Sequence, residues 1–194
     1  APVKKSASAG TFVQVAAGQQ HTCGVTSKGV IECFGSNENG RSNDWKPKSA
    51  SAGTFVQVAA GRQHTCGLTS KGVIECFGYN YHGQAPSQKS ASTGTFVQVA
   101  TSPIFRGHTC GLTSKGVIEC FGNRRDGRAP SQKSASSGGV YTQVAAGNVH
   151  TCGLTSKGLI ECFGENGNGQ APVKKSASAG TFVQVAAGQQ HTCG

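Results

Sequence analysis

Eight cysteines recur as four pairs ten positions apart, Cys23 with Cys33, Cys66 with Cys76, Cys110 with Cys120 and Cys152 with Cys162. A histidine stands two residues before each first member, at His21, His64, His108 and His150. Three chemistries are open to such a set. The thiols can close disulfides, can stay reduced in a core, or can join histidine around a metal, since His21 and Cys23 share a strand face with Cys33 opposite. A Cys-x9-Cys spacing is not that of the common zinc modules. An even, periodic framework is what chains in oxidising compartments carry, so disulfides, no metal, no cofactor and a secreted, extracellular location are the expectation. Cys193 is left over, its partner lying past the last residue.

Acid–base or nucleophilic catalysis has little to stand on. Four of the eight acidic residues are the repeated Glu32, Glu75, Glu119 and Glu161, on hairpins where lysine can balance them. No unique Ser, His and Asp set and no phosphate-cradling loop is visible. An active site would break repeat symmetry, and the strong break here is aromatic and basic. The expectation is a non-enzyme.

The elements that position the cysteines repeat with them. The phrase HTCG(V/L)TSKG(V/L)IECFG occurs at residues 21–35, 64–78, 108–122 and 150–164, and its opening returns at His191. Gln14, Gln57, Gln98, Gln143 and Gln184 track a period of 41 to 45 residues, the length of a four-stranded propeller blade. Each repeat opens with an alternating strand such as Phe12 to Gly18, whose small residues suit crowding near a propeller axis. A hairpin follows, closed by Ser27-Lys28-Gly29, a three-residue loop whose glycine fits a type I turn with a glycine bulge. That loop sets Thr26 opposite Val30 and Cys23 opposite Cys33. The cysteines then form a non-hydrogen-bonded pair with Cα atoms about 4.5 Å apart, within disulfide reach. The polar run after Phe-Gly, rich in proline and serine, reads as an edge strand and connector.

The expected fold is therefore all-β: propeller-type blades of four antiparallel strands, about four and a half repeats, open or completed by further repeats. The divisions read as a lead-in strand or connector at 1–10, blades at 11–53, 54–94, 95–139 and 140–180, and a partial fifth blade at 181–194. Residues 1–24 recur unchanged as 171–194. That identity and the lack of methionine read as a processed product, an engineered piece or a window from something longer, the broken last hairpin favouring the window. Self-association through the terminal half-blade is expected, with sequence equivalent to Val25 through Pro47 of a following unit as donor.

The phrase VAAGxxHTCGLTxxGxIxCFGxNxxGQ resembles the repeat of the regulator of chromosome condensation family, in the cysteine-containing form of secreted bacterial proteins. The resemblance covers essentially the whole chain. Family members usually carry tryptophan where this chain has Phe34, Phe77, Phe121 and Phe163, and their propellers commonly close with seven blades. The resemblance implies a propeller fold. The nuclear exchange activity behind the family name is not expected here, because a cysteine framework of this kind would not persist in a nucleus.

Repeats compared with one another vary in two places, before each histidine and after each Phe-Gly. In an up-and-down blade both connections emerge on one side and the Ser-Lys-Gly turns on the other, so the variation collects on one face, where binding residues concentrate. That face carries Arg62, Tyr79, Tyr81, His82, Phe105, Arg106, Arg124 and Arg125, and the third repeat adds a protruding insertion, Thr101 to Arg106. Aromatic and arginine side chains suit sugars, anionic groups or protein partners; drift of tolerant loops would give the same variability.

The net charge of +10 favours anionic partners in general. Lys28, Lys71, Lys115 and Lys157, however, read as solvated turn residues, and nucleic acid is not the expected partner. No apolar stretch has the length of a membrane span. Two functions fit: a secreted structural element, an extracellular filament or larger ring built from four-blade units, or a lectin-like or protein-binding propeller module using the variable face for a glycan or protein ligand.

Overall fold

A computed structural model describes residues 6–8, 10–43 and 46–194. Most of the lead-in at 1–10, and part of the Val25 to Pro47 donor stretch, lie outside the described residues. Four sheets of three antiparallel strands follow one another: β1 (Phe12–Ala17), β2 (His21–Thr26) and β3 (Ile31–Gly35); β4 (Phe55–Ala60), β5 (His64–Thr69) and β6 (Ile74–Gly78); β7 (Phe96–Thr101), β8 (His108–Thr113) and β9 (Ile118–Gly122); β10 (Tyr141–Ala146), β11 (His150–Thr155) and β12 (Ile160–Gly164). A two-stranded sheet, β13 (Ala186–Ala187) with β14 (Thr192–Cys193), ends the chain.

The blades thus have three strands, where four were expected. The polar connector returns to the sheet edge but pairs with it at one bridge per blade, Ile31 with Lys48, Ile74 with Lys89, Ile118 with Lys133 and Ile160 with Lys175. In blades 2 to 4 a proline carbonyl adds one more bond, from Cys76 N to Pro86 O at 3.0 Å and its equivalents at Pro130 and Pro172. Proline has no N–H to extend a ladder, so an edge built on it stops after these contacts.

The hairpin register is the one the turn dictates. Thr26 N donates to Val30 O at 2.9 Å, Gly29 has φ +69°, and Cys23 lies opposite Cys33. All four pairs are disulfides with Cα atoms 4.0 to 4.1 Å apart, and Cys193 is a free, exposed thiol. Each bond closes a short loop within one blade. Removing one through Cys66→Ala with Cys76→Ala should cost about 3 kcal/mol of stability, by the chain-entropy argument for an 11-residue loop. A urea midpoint that does not move would show that neighbouring blades, not the crosslink, hold the hairpin.

The core lies between blades. Cys23, Val25, Ile31 and Cys33 of blade 1 pack against Phe55 and Val58 of blade 2, and the set recurs at each following junction, ending with Val185 on blade 4. Room for the aromatic ring comes from a glycine on the middle strand. A Cβ on Gly111 would overlap the Phe96 ring and meet Ile74 Cδ1 of the preceding blade at 2.8 Å.

Polar bonds cross each junction in the same way. Gln14, Gln57, Gln98 and Gln143 each accept through Oε1 from the backbone N–H of the next blade's Val58, Val99, Val144 and Val185, at 2.8 to 3.1 Å. The histidines reach the next blade's threonines, Nε2 to Oγ1, at 2.7 to 3.0 Å. Those threonines donate onward to the carbonyls of Arg41, Gln84, Arg128 and Gln170. A backbone carbonyl, a hydroxyl and the imidazole Nε2 are thereby linked in a buried seam, where an unpaired group is costly, while among the described residues Nδ1 of His21, His108 and His150 has no hydrogen-bond partner.

Candidate binding face

Two loop sets meet on one side of the blades because backbone bonds tie them. Ser36 N donates to Gln20 O, Tyr79 N to Gln63 O, Asn123 N to Gly107 O and Glu165 N to Val149 O, at 2.8 to 3.1 Å. The loop before each histidine is thereby fastened to the loop after each Phe-Gly. The Ser-Lys-Gly turns lie at the other end of the same strands, with Lys28, Lys71, Lys115 and Lys157 exposed.

Four of the named residues form one cluster across two blades. Tyr79, Tyr81 and His82 follow β6, and Phe105 belongs to the insertion between β7 and β8. Tyr79 lies 4.9 Å from Phe105 and 6.3 Å from Tyr81 between ring centroids, and Tyr81 stands edge-on to His82 at 5.1 Å. Tyr81 is 82 % exposed. The cluster is anchored from below: Ala85 N donates to Asn80 Oδ1 at 2.7 Å and His82 N to the buried Gln84 at 2.9 Å. An aromatic shelf held on a fixed loop has lost little entropy still to lose on binding.

The arginines named with these residues stand apart from the ring contacts. Arg106 is exposed beside Phe105 in the insertion, and Arg62 is half-buried with its carbonyl accepting from Arg41. Arg124 and Arg125 are exposed in the loop after β9. Arg124 borders a cavity with Lys89, Glu119 and Phe121 on the connector side. Among the described residues no cation–π contact joins these four arginines to the clustered rings, so the loops carry an aromatic cluster and separate basic residues.

Arg41 and Arg128, which drew no reading from the sequence, support the loops of this face. Both are buried, and both occupy the place taken by Gln84 and Gln170 in the alternate blades. Arg41 donates to Arg62 O at 3.0 Å, Ser36 Oγ at 2.8 Å and Glu38 Oε2 at 2.8 Å, and Arg128 holds Arg125 O and Asp126. They brace the loops of the face from within. The signal was present: the repeat's closing Gly-Gln is Gly-Arg in repeats 1 and 3.

Contrary to the expectation of lysine partners, Glu75, Glu119 and Glu161 are held by serines. They are buried, and they accept from Ser51, Ser92, and Ser136 with Ser137, through backbone N–H groups and, in the first two, the serine hydroxyl as well; Glu32 accepts likewise from Ser8. Burial alone would raise the Glu161 carboxyl, but bonds from Ser136, Ser137 and Tyr141 outweigh it and hold it down at about 2. Burial, then the bond to Glu161, raises the Tyr141 phenol. These carboxylates fasten the connectors.

The histidines sit in the seam. Burial lowers His21 and His64 to about 4 and His108 to about 3, with Arg41, His21 and Arg128 respectively as the next causes, and it lowers His150 as well. Each is neutral at pH 7 and bonded to threonine, while the cysteines beside it are closed as disulfides. Among the described residues no group of three His, Cys, Asp or Glu is placed to hold a metal. No helix among them is long and apolar enough to cross a membrane.

Residues 12–41, 55–84 and 141–170 match the Regulator of chromosome condensation (RCC1) repeat. A search of curated proteins found no match. Among solved structures, human WBSCR16 superposes with a TM-score of 0.79 at 18% identity, over 98% of this chain and 59% of that one. Prp20p from Saccharomyces cerevisiae gives 0.74 at 16% identity, over 96% and 56%. The CRINKLY WD40 ectodomain of the Arabidopsis thaliana receptor kinase ACR4 gives 0.68 at 21% identity, over 97% and 60%. The chain therefore spans less than two thirds of each of these proteins, and at such identities the likeness is one of fold. Blades 1, 2 and 4 thus carry repeats of the regulator of chromosome condensation type, in a fold shared with these neighbours.

Proposed function

We propose that this chain is a non-enzymatic, secreted binding module that docks a protein partner on its variable loop face. The observation that carries this reading is the shelf of Tyr79, Tyr81, His82 and Phe105, drawn from two blades and exposed at Tyr81. Aromatic side chains with arginine nearby are the usual centres of protein recognition, because they bury large area at low entropic cost and add directional bonds. The basic residues of the same loops select a partner segment bearing carboxylates beside apolar or aromatic residues. Four disulfides support an oxidising location, and the Arabidopsis neighbour is by its own description an ectodomain. The yeast neighbour is described with binding to Gsp1p and histones, which supports protein recognition by this fold as an analogy.

The test is a display of short acidic peptides with and without aromatic residues, probed in parallel with a glycan array. Binding to acidic, aromatic-containing peptides is expected. Binding to glycans alone would replace the protein partner with a lectin-like role, and silence on both arrays would overturn the reading.

A second reading, a structural element that builds an extracellular filament or larger ring from four-blade units, draws on a different observation. Val15 of β1 is exposed, whereas the equivalent valines Val58, Val99 and Val144 are buried at a junction.

A further inference from the structure

We propose that a cavity between blades 2 and 3, bordered by Lys89 and Arg124, takes the side-chain carboxylate of an aspartate or glutamate of the protein partner. The cavity measures about 360 Å³. On the reading of the loops as a protein-docking face, on which this rests, the aromatic rings take the apolar part of that partner and the cavity takes its charge.

Arg124 stands where the other repeats have a loop-closing asparagine. Asn37, Asn80 and Asn166 each accept through Oδ1 from the backbone N–H five residues on, at 2.9, 2.7 and 2.8 Å. Such a bond staples the turn from within. An arginine side chain has no acceptor and cannot make it. The backbone has not changed to compensate. Arg124 has φ −98° and ψ 7° where Asn37 has φ −105° and ψ 17°, and the residue two on is left-handed in both loops, Asn39 at φ 61° and Asp126 at φ 58°. The third repeat keeps the loop and exchanges its staple for a cation that borders the cavity.

The second cation comes from blade 2. Lys89 is fixed to the sheet edge by two backbone bonds with Ile74, at 2.8 and 2.9 Å, and is half-buried. Among the described residues neither Lys89 nor Arg124 has a salt bridge, although the buried Glu119 borders the same cavity. Glu119 is held by Ser92, accepting its backbone N–H at 2.9 and 3.0 Å and its hydroxyl at 2.9 Å. The cavity therefore offers two cations without a counterion. In the flanking repeats the same two positions carry Lys48 with Asn80 and Lys133 with Asn166. The pair of cations coincides with the junction that also brings Tyr79 to Phe105.

A carboxylate suits these groups. Arginine can hold both of its oxygens through a planar fork, and lysine adds a point charge. Glu119 weighs against a dianion such as a phosphate group, whose second charge it would repel, whereas one carboxylate is outweighed by two cations. Glu119 also has acceptor positions left, so a nearby N–H has a place to donate. An acidic residue within a peptide chain supplies both groups. The volume is near the lower end for ligand cavities, about 300–1,000 Å³, so it holds a single residue of the partner rather than a folded segment.

The isotopically labelled chain is titrated by NMR with N-acetylglutamate α-amide and, separately, with N-acetylglutamine amide, which lacks the carboxylate. Shifts of the Ser92, Arg124 and Gln132 amide signals are expected with the glutamate probe, at an affinity about tenfold above that of the glutamine probe, or about 1.4 kcal/mol. Arg124→Asn gives the loop the residue of the other repeats. It should abolish the preference while keeping or raising the urea midpoint, so that lost binding is not lost folding. Lys89→Gln should weaken the preference. Equal affinity for the two probes, shifts confined to other residues, a preference that survives Arg124→Asn, or a lowered midpoint in that variant would each overturn the site. Tighter binding of methyl glucuronoside than of the glutamate probe would assign the cavity to an acidic glycan and overturn the protein partner. Neither amide probe carries an aromatic ring. The cavity can therefore fail while the ring cluster still binds peptides on the array, and the docking reading can fail there while the probes still bind.

Discussion

Acidification from pH 7 to pH 4 will unfold this protein, and most of the loss will fall between about pH 6.5 and pH 4. His21, His64 and His108 are buried in the junctions with folded-state values of about 4, 4 and 3, below the ordinary 6.5. The unfolded chain therefore binds the extra protons. The stability tied to neutral histidine is complete above about 6.5 and is lost as the pH falls through the window, at about 1.4 kcal/mol per pH unit for each histidine. The loss is largest at His64 and His108, which are fully enclosed, and smaller at His21, where solvent screens the charge; a domain's whole stability is only about 5–15 kcal/mol. Protonation would also set charges against one another along the seam, since Arg41 and Arg128 already face His21 and His108. Glu161, held at about 2, gives up its contribution only at lower pH. Urea midpoints measured from pH 7 to 4 check this. A midpoint that stays level across the window would mean that the histidines are not held neutral in the fold.

Gly111→Val should destabilise the chain by about 3 kcal/mol or more, the upper range for forcing methyl groups into a packed junction. The added Cβ collides with Phe96 on its own blade and with Ile74 on the blade before, so neither ring nor aliphatic chain can give way without opening the seam. Gly24→Val is the internal control, because its Cβ meets Phe12 and Gln14 but no preceding isoleucine. It should cost clearly less. Equal losses at the two sites in urea unfolding would show that the strain is confined to one blade and that the junctions are not the core.

The hairpins could be read from the sequence because a three-residue turn ending in glycine counts the register outward, and the cysteines then fall opposite one another. The aromatic residues could be gathered at one end of the strands because loop variation marks that end. Other features left no local trace. The serine partners of Glu75, Glu119 and Glu161 lie more than twenty residues upstream, so a carboxylate on a hairpin looked like a surface charge. Arg41 and Arg128 were marked only by Gly-Arg standing where the other repeats have Gly-Gln, which does not itself say that the side chain is buried. The fourth strand was inferred from the length of the period, whereas the proline-bearing connector holds the edge at a few backbone bonds. The same 24 residues at two positions make the general point. Val15 and Val185 are identical in sequence context, yet only the one with a blade before it is buried.

The measurement closest to the proposed function compares two faces of one molecule. The dissociation constant for the best acidic peptide from the array is measured with the unaltered chain, with Tyr79, Tyr81, Arg124 and Arg125 all changed to alanine, and with Lys71 and Lys115 changed to alanine, at one ionic strength. Substitutions on exposed loops should leave stability within about 0.5 kcal/mol, so that binding is read apart from folding. The loop-face variant is predicted to bind about tenfold or more weaker, and the turn variant to bind as the unaltered chain does. Loss of binding in the turn variant with retention in the loop-face variant would contradict the assignment.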